Sequence, residues 1–250
     1  MIQFSSPLFV IFALLLSPAP ALLPAPAGTT GGGVPPLAIV CPGTAKLFCG
    51  EPFDPSAIGS ATAFGGCEPV VVTFADIVGP ESCPADRFQF LISRVWTATD
   101  ACGQSVSCLQ EIHILRQVWY LDIKPQSCPN PINGGGVVPI GLLGSAGKDV
   151  TQIDPSSIQI WRVKCSAGGG LTPTMVDYSD VGTPYTGALC GCHTLGGDGI
   201  LDLNLKFDKK AMDQTLNLSS VPKKSTIELV VTARLYDGCE IVAVDCVRVQ

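Results

Sequence analysis

The densest run of reactive side chains is CGCHTLGGDGILDLN, residues 190–204, which holds Cys190, Cys192, His193, Asp198 and Asp202. Residues of these types can build a haem attachment site, a zinc site, a calcium loop or a pair of cystines. Haem attachment needs C-x-x-C-H, and Cys190-Gly191-Cys192-His193 is one residue short of it. Zinc takes thiolate and imidazole ligands in tetrahedral sets, and Cys190, Cys192, His193 and a distant Cys165 have the right chemistry. The C-x-C spacing is tighter than usual for such a site, and an oxidising compartment favours disulfides over free thiolates. The sequence therefore predicts that Cys190 and Cys192 are structural cystines that bridge to different partners.

A calcium reading can be checked position by position. An EF-hand loop needs Asp or Asn at its first, third and fifth positions, Gly at the sixth and a carboxylate at the twelfth. With Gly199 sixth, Asp198 fits the fifth and Asp202 the ninth, but Thr194, Gly196 and Leu205 fall at the first, third and twelfth. The strict alternation after Gly199 also leads into a strand, not a helix. A calcium site of another geometry would combine Asp198 and Asp202 with Asp177 or Asp180 of the DYSDVGTPY segment. These four carboxylates are the metal candidates. The plainer expectation is a Gly-rich turn feeding a strand, with Asp198 and Asp202 solvated.

Other chemistries fare less well. GLLGSAGKD (141–149) approaches a P-loop, but Asp149 stands where the Mg²⁺-binding hydroxyl belongs and would repel phosphate. It reads better as a buried strand and a turn. His113 and His193 are the only histidines, and no G-x-S-x-G occurs. His113 lies in EIHIL, an alternating strand. A hydrolytic triad would have to be assembled from distant residues, so a secreted hydrolase is the third-ranked reading. Carbohydrate binding would draw on Trp119, Trp161, Tyr178 and Tyr185, which are scattered. Lys206, Lys209, Lys210, Lys223 and Lys224 form a modest basic cluster that reads as a solvated face.

The elements that must position these residues are β-strands. The chain has 250 residues, a formal net charge of −6 and scattered basic residues, which argues against binding to a nucleic-acid backbone. Its twelve cysteines are Cys41, Cys49, Cys67, Cys83, Cys102 and Cys108, then Cys128, Cys165, Cys190, Cys192, Cys239 and Cys246. An even number in each half predicts two independently stapled domains outside the cytosol. Residues 1–27 read as a signal peptide, with the apolar run LFVIFALLLS and two A-x-A sites, although no Lys or Arg precedes the run. No later stretch reads as a membrane span. Residues 28–36 read as a Pro/Gly linker, 37–116 as a first domain and 117–250 as a second.

In the first domain, RFQFLISRVWTATD (87–100) predicts a long strand with Phe88, Phe90, Ile92, Trp96 and Ala98 on one face. Arg94 interrupts that face; its stem can pack along Trp96. In the second, ILDLNLKFD (200–208) predicts Leu201, Leu203, Leu205 and Phe207 inward, with Asp202, Asn204, Lys206 and Asp208 outward. STIELVVTARLY and EIVAVDCVRV flank Asp237-Gly238 as a hairpin. KKAMDQTLNL (209–218) is the one segment with a helical pattern. The fold class is all-β, with two sandwich-like domains.

Residues 37–116 resemble the HYR-like domain, an immunoglobulin-like extracellular repeat. The resemblance rests on IVCP (39–42), LFCG (47–50), IGSATAFGGC (58–67), RVWTATDACG (94–103) and CLQEIHI (108–114). It implies adhesion or spacing without catalysis. Gly65-Gly66 and Gln104 depart from the usual Asp-Asn and Asn, which weakens the case for a cation in those loops. An immunoglobulin-like layout implies Cys67 bridged to Cys102, Cys41 to Cys108, and Cys49 and Cys83 together near the other end. Cys83 cannot reach Cys102, because the intervening strand spans roughly 40 Å. Residues 117–250 resemble a module recurrent in secreted proteins of environmental bacteria. That likeness rests on LDIKPQSCPNPIN, VVPIGLLGS, VTQIDPSSIQI, CGCHTLGGDGILDLNLKFD and DCVRV. It implies secretion and a β-rich fold, and no activity.

The expected function is thus a secreted or cell-surface, non-catalytic adhesion or structural module. The alternative is an extracellular carbohydrate-binding or calcium-binding accessory protein. The expected partner is an extracellular protein or polysaccharide, with no cofactor other than calcium.

Overall fold

The computed structural model describes residues 33–132 and 135–250. The stretch read as a signal peptide and most of the stretch read as a linker lie outside the described residues. Pro35–Gln250 forms one compact unit, and nearly all of its regular structure is β.

The first half contains β1 (Ala38–Val40), β2 (Ala45–Phe48), a one-turn helix α1 (Pro55–Ile58), β3 (Thr62–Phe64), β4 (Val71–Val78), β5 (Phe88–Thr99) and β6 (Ser105–Leu115). β2, β6, β5 and β4 form a four-stranded sheet in that order, and β1 pairs with β3 in a short ribbon. Period-two alternation in β5 puts Ile92, Arg94, Trp96 and Ala98 on the buried face. Ile112 and Ile114 of β6 join them, and Ala45, Leu47, Ile58 and Phe90 pack against this cluster. Gln110 ties the layers together: its side chain accepts from Trp96 Nε1 (3.1 Å) and donates to the carbonyls of Gly43 and Ile58 (3.2 and 3.3 Å).

Arg94 is 1 % exposed. Asp76 stands directly across from it on β4 and accepts two hydrogen bonds from its guanidinium, at 2.7 and 2.8 Å. A third goes to the Phe53 carbonyl at 2.9 Å. The guanidinium lies over the rings of Phe74, 4.4 Å away, and Trp96, 5.9 Å away. The interruption in the apolar pattern is therefore a buried arginine paired with a part-exposed aspartate at the sheet edge.

The second half contains β7 (Gln117–Ile123), β8 (Pro131–Ile132), β9 (Val137–Leu143), β10 (Ile153–Arg162), β11 (Met175–Ser179), β12 (Asp202–Asp208), the helix α2 (Lys209–Thr215), β13 (Thr226–Leu235) and β14 (Glu240–Val249). Seven strands run in the order β10-β13-β14-β7-β9-β12-β11, with β8 attached to β14. All neighbours are antiparallel except β14 with β7 and with β8. The β13–β14 hairpin forms around Asp237-Gly238 as the sequence predicts, with Gly238 at φ 92°. Ile158 and Ile160 of β10 share one core with Leu203, Leu205 and Phe207 of β12. Strands from opposite ends of the sheet therefore enclose the same apolar space, and the sheet is sandwich-like. Met212 of α2 and Leu218 plug that core. Asp208 caps α2 by accepting from the Ala211 amide at 2.8 Å.

All twelve cysteines are paired, with Cα–Cα separations between 5.0 and 5.9 Å, the span a disulfide needs. Cys41 joins Cys108 and Cys67 joins Cys102. The expectation for Cys49 and Cys83 is corrected: Cys49 joins Cys239, and Cys83 joins Cys165. The halves are therefore not stapled independently. The loop carrying Cys83 and Ala85 lies on the outer face of the second sheet, where Ala85 packs on Val230 and Val242. Cys165 lies beside that face and Cys239 in the β13–β14 turn, so each is closer to a first-half cysteine than to one of its own half.

Only Arg116 separates β6 from β7. It is 1 % exposed. It donates to Glu240 in the second half at 2.7 Å, and to the carbonyls of Asp86 and Phe88 in the first half at 3.0 and 2.9 Å. The join between the halves is a buried clamp.

Candidate functional site

The runs LDIKP, SCPN, CGCH and DCVRV converge where β14 leaves β7. β14 pairs with β7 through Val244 opposite Tyr120, then with β8 from Arg248 opposite Pro131. Asp245 sits in the gap between these pairings. Its carboxylate accepts from the amides of Ile123 and Cys246, both at 2.7 Å, and from the Asn130 side chain at 3.1 Å. Asn130 also donates to the Cys246 carbonyl at 3.1 Å. The side chain thus supplies the acceptor that a continued strand would have supplied.

Asp122 lies one strand away. Trp119, Leu121 and Ile123 of β7 point into the core, so Asp122 points to the opposite face, where it is 1 % exposed. One of its carboxylate oxygens has no hydrogen-bond partner, as is true of Asn130 Oδ1 and His193 Nδ1. Burial pushes its carboxyl up to about 6, with the Asp245 charge adding to the rise and His193 opposing it. Burial also raises Asp245, against the pull of the Ile123 and Cys246 amides. His193 stacks on Tyr185 at 4.5 Å between ring centroids. Asn130, His193 and Asp245 border a cavity of about 60 Å³.

Two disulfides fix this junction. Cys190 is bonded to Cys246, and Cys192 to Cys128. CGCHTLGGDGILDLN therefore begins with a double staple to different partners.

The third buried carboxylate corrects an expectation. Asp202, read as outward and solvated, is fully buried. It accepts from the amides of Gly144 (2.8 Å), Val181 (2.8 Å) and Gly182 (3.1 Å). Burial raises its carboxyl, and those three amides oppose the rise. Leu201, read as inward, is exposed instead. Asp202 is covered by the loop at Val181-Gly182, which crosses the outer face of the sheet, whereas Leu201 precedes β12. Gly141 permits this approach, because a Cβ there would stand 2.9 Å from Val181 Cγ2; Gly144 lets the Leu201 carbonyl come close, 2.3 Å from where its Cβ would be.

The other calcium candidates do not join Asp202. Asp180 turns to the amides of Asp198 and Gly199 at 3.0 and 2.7 Å. Asp198 accepts from the Ile200 amide at 2.9 Å. Asp177 is exposed on β11. Among the described residues no group of three or more His, Cys, Asp or Glu side chains is placed to hold a metal ion. In the first half, Asp100 accepts from the amides of Cys67 and Gln104 at 2.9 and 2.7 Å, so backbone donors occupy the carboxylate beside the Cys67–Cys102 bridge.

The aromatic candidates are dispersed as well. Trp119 is in the core, and Trp161 packs at the junction of the halves with its Nε1 on Thr232. Tyr185 is stacked on His193, and Tyr178 is exposed alone on β11. His113 is half-buried against Phe88 and 3.4 Å from Glu111. Asp122 and Asp245 were not among the sequence candidates. Their signal is a carboxylate inside an apolar strand, VWYLDI and EIVAVDCV.

No known family matches the chain, and no curated protein does. Among solved structures, it is similar to a Bacteroides ovatus mixed-linkage glucan utilization locus protein, SGBP-B, in complex with a mixed-linkage heptasaccharide. Identity is 12%, coverage 72% of this chain and 37% of that one, and the TM-score 0.23. It is similar to extracellular cadherin domains 3–6 of protocadherin gamma B2 at 14% identity, covering 86% of this chain and 47% of that one, with a TM-score of 0.25. Mouse cadherin-23 EC22-24 gives 8% identity over 86% of this chain and 66% of that one, with a TM-score of 0.23. The chain spans less than half the length of the first two. Likenesses this weak carry no argument about what the chain does.

The six disulfides belong to an oxidising compartment outside the cytosol. Among the described residues no helix is long and apolar enough to cross a membrane.

Proposed function

We propose that this chain is a secreted or cell-surface, non-catalytic module that serves adhesion or spacing. The HYR-like reading of residues 37–116 and a bacterial origin belong to this proposal. The observation that carries it is the welding of the two halves. Two disulfides, Cys49–Cys239 and Cys83–Cys165, cross the junction, and Arg116 bonds to both sides of it. A module built to present a surface at a fixed orientation needs such rigidity. The buried carboxylates support the same reading. Asp202 and Asp245 direct their lone pairs to backbone amides, where they close gaps between strands.

The test is retention of the labelled, exported protein on whole cells, extracellular matrices and insoluble polysaccharides. Ester, peptide and glycoside substrates are assayed beside it. Retention without turnover supports the module reading. Turnover that disappears in His193→Ala would overturn it.

A further inference from the structure

Every open sheet has edges, and an exposed edge is a template for another strand unless something blocks it. Three of the edges here are blocked. β2 is four residues long and carries the exposed Lys46. β10 contains Pro155 and a register shift between Asp154 and Gln159, and Ile160 exchanges backbone hydrogen bonds with Leu171 at 2.8 and 3.0 Å. β11 is five residues long and presents Asp177.

β4 is longer than β2 and β11 and has none of these devices except one aspartate, Asp76. Its eight residues, VVTFADIV, contain no Lys, Arg or Pro. Its pairing with β5 is regular from Val71 opposite Thr99 to Val78 opposite Ile92. Among the described residues no strand pairs with its other side. Apolar side chains are exposed on both of its faces: Val71 and Ile77 on one (57% and 61%), Phe74 and Val78 on the other (45% and 64%). Its single charge, Asp76, is already paired with Arg94 of the same chain.

We propose that β4 is a dimerisation edge that pairs antiparallel with β4 of a second copy, joining two four-stranded sheets into one. The strand is its own complement. A twofold axis perpendicular to the sheet passes through Phe74 or Ala75. Centred on Phe74, it sets Val71 opposite Ile77, Val72 opposite Asp76 and Thr73 opposite Ala75. Centred on Ala75, it sets Val72 opposite Val78, Thr73 opposite Ile77 and Phe74 opposite Asp76. In both registers Asp76 faces an uncharged residue and no two carboxylates meet, so like-charge repulsion across the pair is absent. A strand whose one charge is already paired within its own chain has no charge left to match, and a second β4 brings none. The contact is isologous and closes as a dimer, leaving no open edge to propagate a fibre. This pairing does not depend on the adhesive role proposed above.

The experiment is sedimentation velocity of the fully disulfide-bonded protein from low to high micromolar concentration, with hydrogen exchange read over residues 71–78. The parent protein should dimerise, and protection of β4 amides should rise with concentration. Ile77→Lys and, separately, Val78→Lys place a charge on each face of the edge and should each abolish the dimer. Near-UV circular dichroism and Tm verify that both variants keep the fold. A parent that stays monomeric throughout, or a dimer indifferent to both substitutions, overturns the proposal. A monomer whose β4 amides are protected at every concentration also overturns it, because another segment of the same chain would then cover the edge.

Discussion

Replacing Asp122 by asparagine should stabilise the protein at neutral pH. Asp122 is 1 % exposed and one of its carboxylate oxygens has no partner. Its carboxyl titrates at about 6 against an ordinary 3.8, with burial the leading cause. A raised carboxyl means the folded state holds the proton more tightly than the unfolded state. Its effect on stability is absent below about 3.8, grows as pH rises through that window, and is complete above about 6. Two units at about 1.4 kcal/mol each set a ceiling of about 3 kcal/mol at pH 7. Asparagine keeps the shape and removes the charge. The assay is guanidinium unfolding with all disulfides intact, at intervals between pH 4 and pH 7.5, for parent and variant. The parent should lose stability across that range, and Asp122→Asn should lose much less. A residual slope is expected, because burial also raises Asp202 and Asp245. Asp54, Asp100, Asp149 and Asp154 are held below the ordinary value by hydrogen bonds, so their contribution is lost at more acid pH and does not mimic the effect. A variant no more stable than the parent at pH 7, or one with an unchanged slope, would refute the reasoning.

Removing the carboxylate of Asp202 is expected to act in the opposite direction. Asp202→Ala leaves the amides of Gly144, Val181 and Gly182 without their acceptor, and should cost about 2–4 kcal/mol by denaturant midpoint. Arg116→Ala removes its bonds to Glu240 and to the carbonyls of Cys83, Asp86 and Phe88, leaves Glu240 with Arg234 alone, and should cost about 1–3 kcal/mol. Opening one weld by Cys49→Ser with Cys239→Ser should cost about 2–5 kcal/mol. Limited proteolysis should then cut between the halves sooner than in the parent, and an unchanged cleavage pattern would show that the bridge adds no rigidity there.

Much of the local structure was legible in the sequence, and most of the long-range structure was not. Alternation located most of β5 and of β12, failing at Phe88, which a register shift before Phe90 turns toward His113, and Asp-Gly located the β13–β14 hairpin, because a strand with one covered face writes period two into its residues. Asp202 shows where that logic stops. Parity correctly put it opposite Leu203, but the face it points to is covered by Val181 and Gly182, which are remote in sequence. Arg94 is the reverse case: a charge on the core face looked like an interruption until Asp76 on the neighbouring strand supplied its partner. Cysteine parity failed for a similar reason. Six in each half is equally consistent with closed sets and with two exchanges across the junction, and no local pattern separates them.

Arg116 turns this geometry into an argument about motion. Its guanidinium is buried, so it must be matched by acceptors wherever it goes. Those acceptors belong to two different structures: Asp86 and Phe88 lie beside the first sheet, and Glu240 opens β14 of the second. A hinge at the one-residue join would separate them and take the buried Arg116 cation away from part of its acceptor set, while Glu240 would keep only Arg234, 3.1 Å away. Cys83–Cys165 and the packing of Ala85 on Val230 and Val242 hold the same contact from the outer face of the second sheet. Cys49–Cys239 holds it from the β13–β14 turn. Opening the junction therefore means losing an ion pair and an apolar contact while two covalent bonds still limit the separation. With so little chain entropy to gain, the halves move as one body, and any surface on the first is presented at an orientation set by the second.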